Sequence, residues 1–206
     1  MTLDTLLAHP EIERLARALE TQPGRELPGE PPMRWAAIAL VLRLGAAGEP
    51  ELLMIKRAEM ERDPWSGHVA CPGGRSEPGD ASLAHTATRE TWEETGIDLS
   101  SVGRILGTLD DLSPRTPLLP PIVIRPFVAA VPSSVEIVQS TEVAAAFWVP
   151  LTALRERAAW GMSTITVRGM DREESTFRHG EYMVWGLTER VLRQLLERMG
   201  EWEVRE

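Results

Sequence analysis

The order of apolar and polar positions along the chain predicts a mixture of helices and strands. Residues 10–20 place apolar side chains three and four positions apart behind a proline, which predicts an amphipathic helix. Apolar runs at 34–44 and 51–57 flank a glycine-containing turn and predict a β-hairpin. The same reasoning predicts further strands at 102–112, 121–131 and 145–151, and a terminal helix at 184–200.

The segment between the first helix and the hairpin does not have the composition of a helix or a strand. Residues 21–32 contain four prolines and two glycines, which predicts a linker or an arm that wraps around the main fold. We therefore expect an N-terminal helix and Pro/Gly-rich arm over residues 1–32, and one α/β or α+β domain over residues 33–206.

Composition and charge narrow the function classes. The 206 residues are 43% hydrophobic and 26% charged, as in a soluble globular protein, and no apolar run approaches the roughly 20 residues that span a bilayer. The start lacks the features of a secretory signal, so we expect a cytoplasmic protein with no membrane partner. The net charge of −9 argues against nucleic acid as a partner. Cys71 is the single cysteine, so an intrachain disulfide is excluded.

An unusual concentration of negative charge lies on one predicted helix. Residues 81–95 can form a helix with Asp80 as the N-cap and Gly96 just beyond the end. Helical periodicity then places Glu90, Glu93 and Glu94 on one face. The ordinary explanation of such a pattern is a solvated surface helix in which the neighbouring arginine offsets the repulsion between the glutamates.

The turn before this helix favours a second explanation. Gly73 and Gly74 allow the backbone to approach a ligand closely, and the Gly73 carbonyl can join a metal site. Clustered carboxylates and a carbonyl are ligands suited to Mg²⁺ or Mn²⁺, which proteins commonly share with substrate phosphates. The pattern therefore indicates hydrolysis of a phosphate ester or a phosphoanhydride.

Residues 74–97 resemble the signature of the Nudix hydrolases, G-x5-E-x7-R-E-U-x-E-E-x-G-U, where U is aliphatic. Gly74 and the block RETWEETGI match it. The departures are Asp80 at the upstream Glu position, eight residues instead of seven before Arg89, and Thr91 at the aliphatic position. The resemblance implies an α/β/α sandwich with a mixed sheet between helices, over about residues 34–199. It also implies that Gly73, Glu90, Glu93 and Glu94 surround divalent ions and that Arg89 orients a carboxylate.

In this family the general base comes either from the signature helix or from a distant loop. Here the segment QSTEVAAAFWVP offers Glu142 as a base or a metal ligand. A carboxylate that simply faces water is the alternative, because Glu142 comes shortly before an apolar strand.

The segment upstream of the glycine turn is similar to the extra motif of coenzyme A pyrophosphatases, LL-T-x-R-[SA]-x3-R-x3-G-x3-F-P-G-G. The match has one additional residue before Gly67 and Cys71 in place of phenylalanine. Guanidinium groups bind phosphate oxygens in pairs, so the candidate substrate ligands are arginines, with ordinary surface positions as the alternative for each. They are Arg57, Arg62, Arg75 and, in a proline-rich loop, Arg115.

Taken together, the two resemblances imply a Mg²⁺- or Mn²⁺-dependent hydrolase that cleaves coenzyme A or an acyl-CoA into 3′,5′-ADP and 4′-phosphopantetheine or its acyl derivative. Another nucleoside diphosphate derivative, such as ADP-ribose, is the alternative substrate. A non-catalytic module that senses a nucleotide is the alternative of a different class. Apolar surface on the N-terminal arm could join two copies in a homodimer.

Overall fold

The computed structural model describes residues 1–28, 33–61, 65–114, 121–167 and 169–202. The helices are α1 (Leu3–Leu7), α2 (Pro10–Thr21), α3 (Leu83–Thr95), α4 (Leu99–Val102), α5 (Leu151–Arg155) and α6 (Gly186–Arg198). The strands are β1 (Arg34–Leu44), β2 (Pro50–Arg57), β3 (Val69–Ala70), β4 (Gly73–Arg75), β5 (Arg104–Thr108), β6 (Ile122–Ala130), β7 (Val143–Pro150), β8 (Trp160–Val167), β9 (Met170–His179) and β10 (Tyr182–Trp185).

A mixed seven-stranded sheet forms the centre of the molecule. Its main path runs β3-β2-β1-β6-β5, with β4 added to β1 and β7 added to β2. The pair β1/β6 is parallel, whereas β1/β2, β2/β7 and β5/β6 are antiparallel. Helices cover the sheet, so the predicted α/β class with a mixed sheet between helices is confirmed, as is the β1/β2 hairpin.

Strand β1 shows why the core has two layers. Its odd-numbered residues Ala37, Ala39 and Val41 belong to a cluster with Ala87 and Leu99 from the α3–α4 side. Its even-numbered residues from 40 to 44 belong to a second cluster with α1, α2, α5 and α6. A strand buried on both faces has near-continuous apolar sequence, and the small alanines facing α3 allow that helix to lie close to the sheet.

The N-terminal segment packs onto the same core. Helix α2 confirms the amphipathic pattern, since Ile12, Leu15 and Leu19 are fully buried in the cluster it shares with the sheet. Beyond the helix, the described part of the arm runs along the segment after β5, where Gly24 donates to the carbonyl of Thr108 and Arg25 to the carboxylate of Asp110.

The sequence patterns missed the short elements α4, α5, β3 and β4 and two further parts of the fold. Helix α1 was not predicted, and neither was the second sheet, an antiparallel meander in the order β10-β9-β8. Helix α6 matches the predicted terminal helix at 184–200 and packs on this second sheet. In the described ranges, every helix is too short or too polar to cross a bilayer.

Candidate active site

Helix α3 begins two residues later than predicted. Ser82, not Asp80, is the N-cap, and its hydroxyl accepts from the amide of His85. Asp80 lies in the preceding turn instead, where its carboxylate accepts from the amide of Glu77 and the hydroxyl of Thr86. The helix ends at Gly96 as expected, with φ +72° in the left-handed region that glycine adopts without strain.

The glycine pair of the turn is required by close contacts. A Cβ on Gly73, which has φ +152°, would lie 2.4 Å from the carbonyl oxygen of Ala37 in the neighbouring strand β1. A Cβ on Gly74 would lie 2.4 Å from the carboxyl carbon of Glu90. Glycine is therefore required at position 73 by the β1 backbone, whereas at position 74 it leaves room for the Glu90 carboxylate, which a side chain there would displace.

Arg89 links the turn to the acidic face of the helix. Its Nε and Nη2 donate to the two carboxylate oxygens of Asp80, each at 3.0 Å. Its Nη1 donates at 3.0 Å to both Glu90 and Glu93, and Nη2 also donates to the carbonyl of Arg75. The hydrogen-bonded guanidinium holds the pKa of Asp80 well below its usual range. Asp80 is thus the fixed partner of the arginine that orients two of the three glutamates.

Glu94 is the most enclosed carboxylate of the acidic face. One oxygen accepts the amide N–H of Gly73 at 2.9 Å, and the other lies 3.5 Å from Nη1 of Arg57. Its side chain is only 4% exposed, and burial raises its pKa from 4.5 to about 7 despite these two partners. The negative charges of Glu90 and Glu142 act in the same direction.

Glu142 reaches the same cleft from another part of the chain. The amides of Val138 and Ser140 donate to the carbonyls of Thr95 and Glu94, so the loop before β7 is attached to the C-terminal end of α3. The cleft is lined by Glu90, Glu93, Glu94, Ser140, Thr141 and Glu142. The pKa of Glu90 is raised, first by burial, with further contributions from Glu93 and Glu142.

The donor set has the chemistry of a hard divalent-cation site, with four carboxylates around one cleft. Within the described ranges, however, no three His, Cys, Asp or Glu side chains form a ready-made metal cage. Two of the glutamates are bound to Arg89 and the third to Gly73. Burial is the main cause of the raised pKa values of Glu90 and Glu94, and the neighbouring carboxylates add to it, so a bound cation would stabilise their ionised forms. The residues therefore fit a cation, provided that their carboxylates turn towards it.

The four predicted substrate arginines have different positions. Arg57, at the end of β2, faces Glu94. Arg75, at the end of β4, has an exposed side chain while its carbonyl accepts from Arg89. Arg62 and Arg115 lie outside the described residues. Sequence reasoning did not single out Ser140 and Thr141, whose hydroxyls carry no recognisable spacing relative to the helix.

Comparison with known proteins shows the family to which this chain belongs. A NUDIX domain model matches residues 33–168. The chain is 29% identical over 162 residues to the uncharacterized Nudix hydrolase NudL of Photorhabdus laumondii subsp. laumondii, covering 78% of this chain and 83% of that protein. It is 30% identical over 162 residues to NudL of Yersinia pestis strain Pestoides F, covering 78% of each. The chain therefore belongs to the Nudix hydrolase family.

The fold comparison agrees with this assignment. The crystal structure of a MutT/nudix family protein from Enterococcus faecalis matches with a TM-score of 0.51. The match covers 92% of this chain and 74% of that one at 16% identity, and so concerns the fold alone.

Proposed function

We propose that this chain hydrolyses the phosphoanhydride of coenzyme A or an acyl-CoA in the presence of Mg²⁺ or Mn²⁺. The products are 3′,5′-ADP and 4′-phosphopantetheine or its acyl derivative. The observation that carries the hydrolytic assignment is the convergence of Glu90, Glu93, Glu94 and Glu142 on one cleft beside the Gly73–Gly74 turn.

The carboxylates of Glu90, Glu93 and Glu94, with the Gly73 carbonyl, would hold the divalent ion. When bound, such an ion neutralises phosphate charge and lowers the pKa of a coordinated water. Asp80 fixes Arg89, and Arg89 holds the side chains of Glu90 and Glu93 beside the cleft, so their carboxylates have only to turn towards the ion.

Glu142 is the candidate general base. It is exposed in the cleft and belongs to a loop that is attached to α3 rather than to the helix itself. In the proposed step, water oxygen bonds to one phosphorus of the anhydride, its proton passes to a carboxylate, and the bond from that phosphorus to the bridging oxygen breaks. The departing phosphate carries away the bridging oxygen and its electron pair.

Two arginines support coenzyme A as the substrate. Arg57 lies beside the carboxylate of Glu94, and Arg75 is exposed directly next to the glycine turn. Arg57 matches the first arginine of the additional motif that is similar to coenzyme A pyrophosphatases, and Arg75 directly follows the last glycine of that motif. A guanidinium binds two phosphate oxygens at once, and coenzyme A presents a 3′-phosphate besides its pyrophosphate.

Product analysis tests this proposal. Coenzyme A, ADP-ribose and a diadenosine polyphosphate are each incubated with the purified chain, with Mg²⁺ or with EDTA, and followed by phosphorus NMR. We expect 3′,5′-ADP from coenzyme A only with the metal. Preference for ADP-ribose would refute the coenzyme A assignment alone, whereas cleavage of none of them, with intact folding, would favour a non-catalytic module.

The role of the arginines is tested with 3′-dephospho-coenzyme A. Arg75→Gln should lower kcat/KM for coenzyme A by about tenfold or more and affect the dephospho substrate less, if its guanidinium contacts the 3′-phosphate. Arg104→Gln is the matched control, because Arg104 is also exposed but lies on β5 at the far edge of the sheet. Equal losses on both substrates would assign Arg75 to the pyrophosphate instead.

A further inference from the structure

Strand β10 carries a half-buried tryptophan, Trp185, that is connected to the acidic cleft. Its indole ring lies against the imidazole of His68, with the ring centroids 4.5 Å apart. The carbonyl of His68 accepts from the amide of Arg57, and the guanidinium of Arg57 lies 3.5 Å from the carboxylate of Glu94. A continuous series of contacts therefore leads from Glu94 through Arg57 to Trp185.

Strand pairing shows which residues share a face of the second sheet with Trp185. Trp185 is directly opposite Thr176 on β9. Two residues away on each strand, Met183 is opposite Arg178. Side chains alternate between the two faces along a strand, and directly opposite residues project from the same face. Arg178 is therefore the diagonal neighbour of Trp185 on that face, at a spacing of about 7–8 Å.

Arg178 supplies positive charge to the same face. Its side chain is exposed, and its Nη2 donates to the hydroxyl of Ser163 at 3.2 Å. Among the described residues, no carboxylate forms an ion pair with Arg178, so its charge is available to an anion. The chain carries a net charge of −9, and a phosphate-bearing ligand is repelled by such a surface unless a cation lies near its binding position.

A flat aromatic ring beside a guanidinium has the chemistry of a nucleotide subsite, because bases stack on aromatic rings and phosphates bind arginine. An acyl chain fits this face less well, since it would remove water from Arg178 without offering a hydrogen bond. We propose that Trp185 is the surface on which the adenine base of the substrate stacks, with Arg178 facing a phosphate of the same nucleotide.

This inference rests on the proposed hydrolysis of a nucleotide derivative and adds the residue that recognises its base. Coenzyme A, ADP-ribose and diadenosine polyphosphates all contain adenine, so the subsite would serve any of them. The match to the NUDIX domain model ends at residue 168, before β9 and β10 begin. Trp185 and Arg178 therefore add to the matched domain rather than belong to it.

Calorimetric titration with AMP and with ribose 5-phosphate tests the proposal, because only AMP carries the base. Neither probe contains a phosphoanhydride, so binding is measured with Mg²⁺ and without turnover. Wild type should bind AMP about tenfold or more tightly than ribose 5-phosphate. Trp185→Leu should reduce this ratio to about one, whereas Trp185→Phe, which keeps a flat ring, should retain most of it. Arg178→Gln should weaken both probes alike, since both carry the phosphate.

Tyr182→Leu is the matched control. Tyr182 is also a half-buried aromatic residue of β10, but it lies three positions from Trp185 and so projects from the opposite face. Its ring stacks on Phe147 with centroids 3.9 Å apart. Loss of this contact should lower stability and leave the ratio of the two affinities unchanged.

Turnover of coenzyme A provides the second measurement. Trp185→Leu should raise KM by about tenfold with little change in kcat, because the bond is broken at the carboxylate cleft and not at the base. An unchanged affinity ratio in Trp185→Leu, an equal loss in Tyr182→Leu, or a wild type that does not prefer AMP would each overturn the proposal. A chain that binds AMP through Trp185 but cleaves no anhydride would refute the hydrolytic function alone. Cleavage of coenzyme A with unchanged KM in Trp185→Leu would refute the base subsite alone.

Discussion

Replacement of Asp80 by asparagine tests whether the Asp80–Arg89 pair supports the acidic face. The Asp80 side chain is 2% exposed and that of Arg89 is 17% exposed. Their two hydrogen bonds, each 3.0 Å long, form a bidentate contact with little access to water. Asparagine has nearly the same size, but it removes the negative charge and replaces one acceptor with a donor that faces the guanidinium.

The structure sets the expected magnitude. Removing one partner of a buried ion pair costs about 3–5 kcal/mol, but Arg89 keeps Glu90 and Glu93 as partners. We therefore expect Asp80→Asn to lower the free energy of unfolding by about 2–3 kcal/mol at pH 7. Urea unfolding in EDTA measures this difference through the midpoint, with an unchanged slope.

The pH dependence of the same difference is the sharper test. Because Arg89 lowers the pKa of folded Asp80, the stabilisation is fully present above the unfolded pKa of about 4 and is lost as pH falls towards the folded value. Wild type and variant should thus converge at low pH. Asp171→Asn, at an exposed residue that accepts from Thr166, should change stability by less than about 0.5 kcal/mol. A loss below about 1 kcal/mol at pH 7, or one independent of pH, would refute the reasoning.

Three further substitutions separate the parts of the cleft. Glu94→Gln should reduce metal-dependent turnover by about 100-fold or more, measured with coenzyme A against the exposed control Glu20→Gln, and near-normal rates would contradict a metal-facing role. Gly74→Ala should displace Glu90 and reduce turnover with a smaller effect on stability, whereas Gly79→Ala, where an added Cβ meets nothing within 4 Å, should be nearly silent in both assays. Glu142→Gln should lower kcat by about 100-fold with little change in Mn²⁺ affinity by titration; a parallel loss of Mn²⁺ affinity would make Glu142 a ligand instead.

Periodicity was sufficient to predict the acidic face of α3. Residues three and four apart on a helix must share a face, so the geometry of Glu90, Glu93 and Glu94 follows from spacing alone. The start of the same helix was predicted wrongly, because Asp80 and Ser82 are both good N-cap residues. What distinguishes them is the contact of Asp80 with Arg89, nine positions further on. That contact depends on how the turn before α3 folds back onto the helix. Local residue propensities contain no information about this geometry.

The second sheet was missed for a different reason. Strand prediction relies on one buried face, and β8 and β9 are exposed over much of their length. Their polar residues therefore give no alternation of apolar and polar positions. The hairpin is instead defined by pairing, including the cross-strand contact of Thr164 with Glu173, and pairing between distant residues is not visible in a single sequence.

The pKa values of the carboxylates around α3 are shifted in opposite directions. This difference distinguishes a carboxylate that supports the site from one that would bind the metal ion. The pKa of Asp80 is lowered because Arg89 compensates its charge, whereas that of Glu94 is raised to about 7 because burial outweighs its partners. Without metal, ionisation of Glu94 should therefore reduce the free energy of unfolding as pH rises from about 4.5 to about 7. Glu94→Gln should remove this slope and stabilise the metal-free protein at pH 8 by about 3 kcal/mol. A cation bound at the cleft would compensate the same charge, so Mn²⁺ should stabilise wild type at pH 8 and the variant much less. Equal stabilisation of both proteins by Mn²⁺ would place the ion away from Glu94.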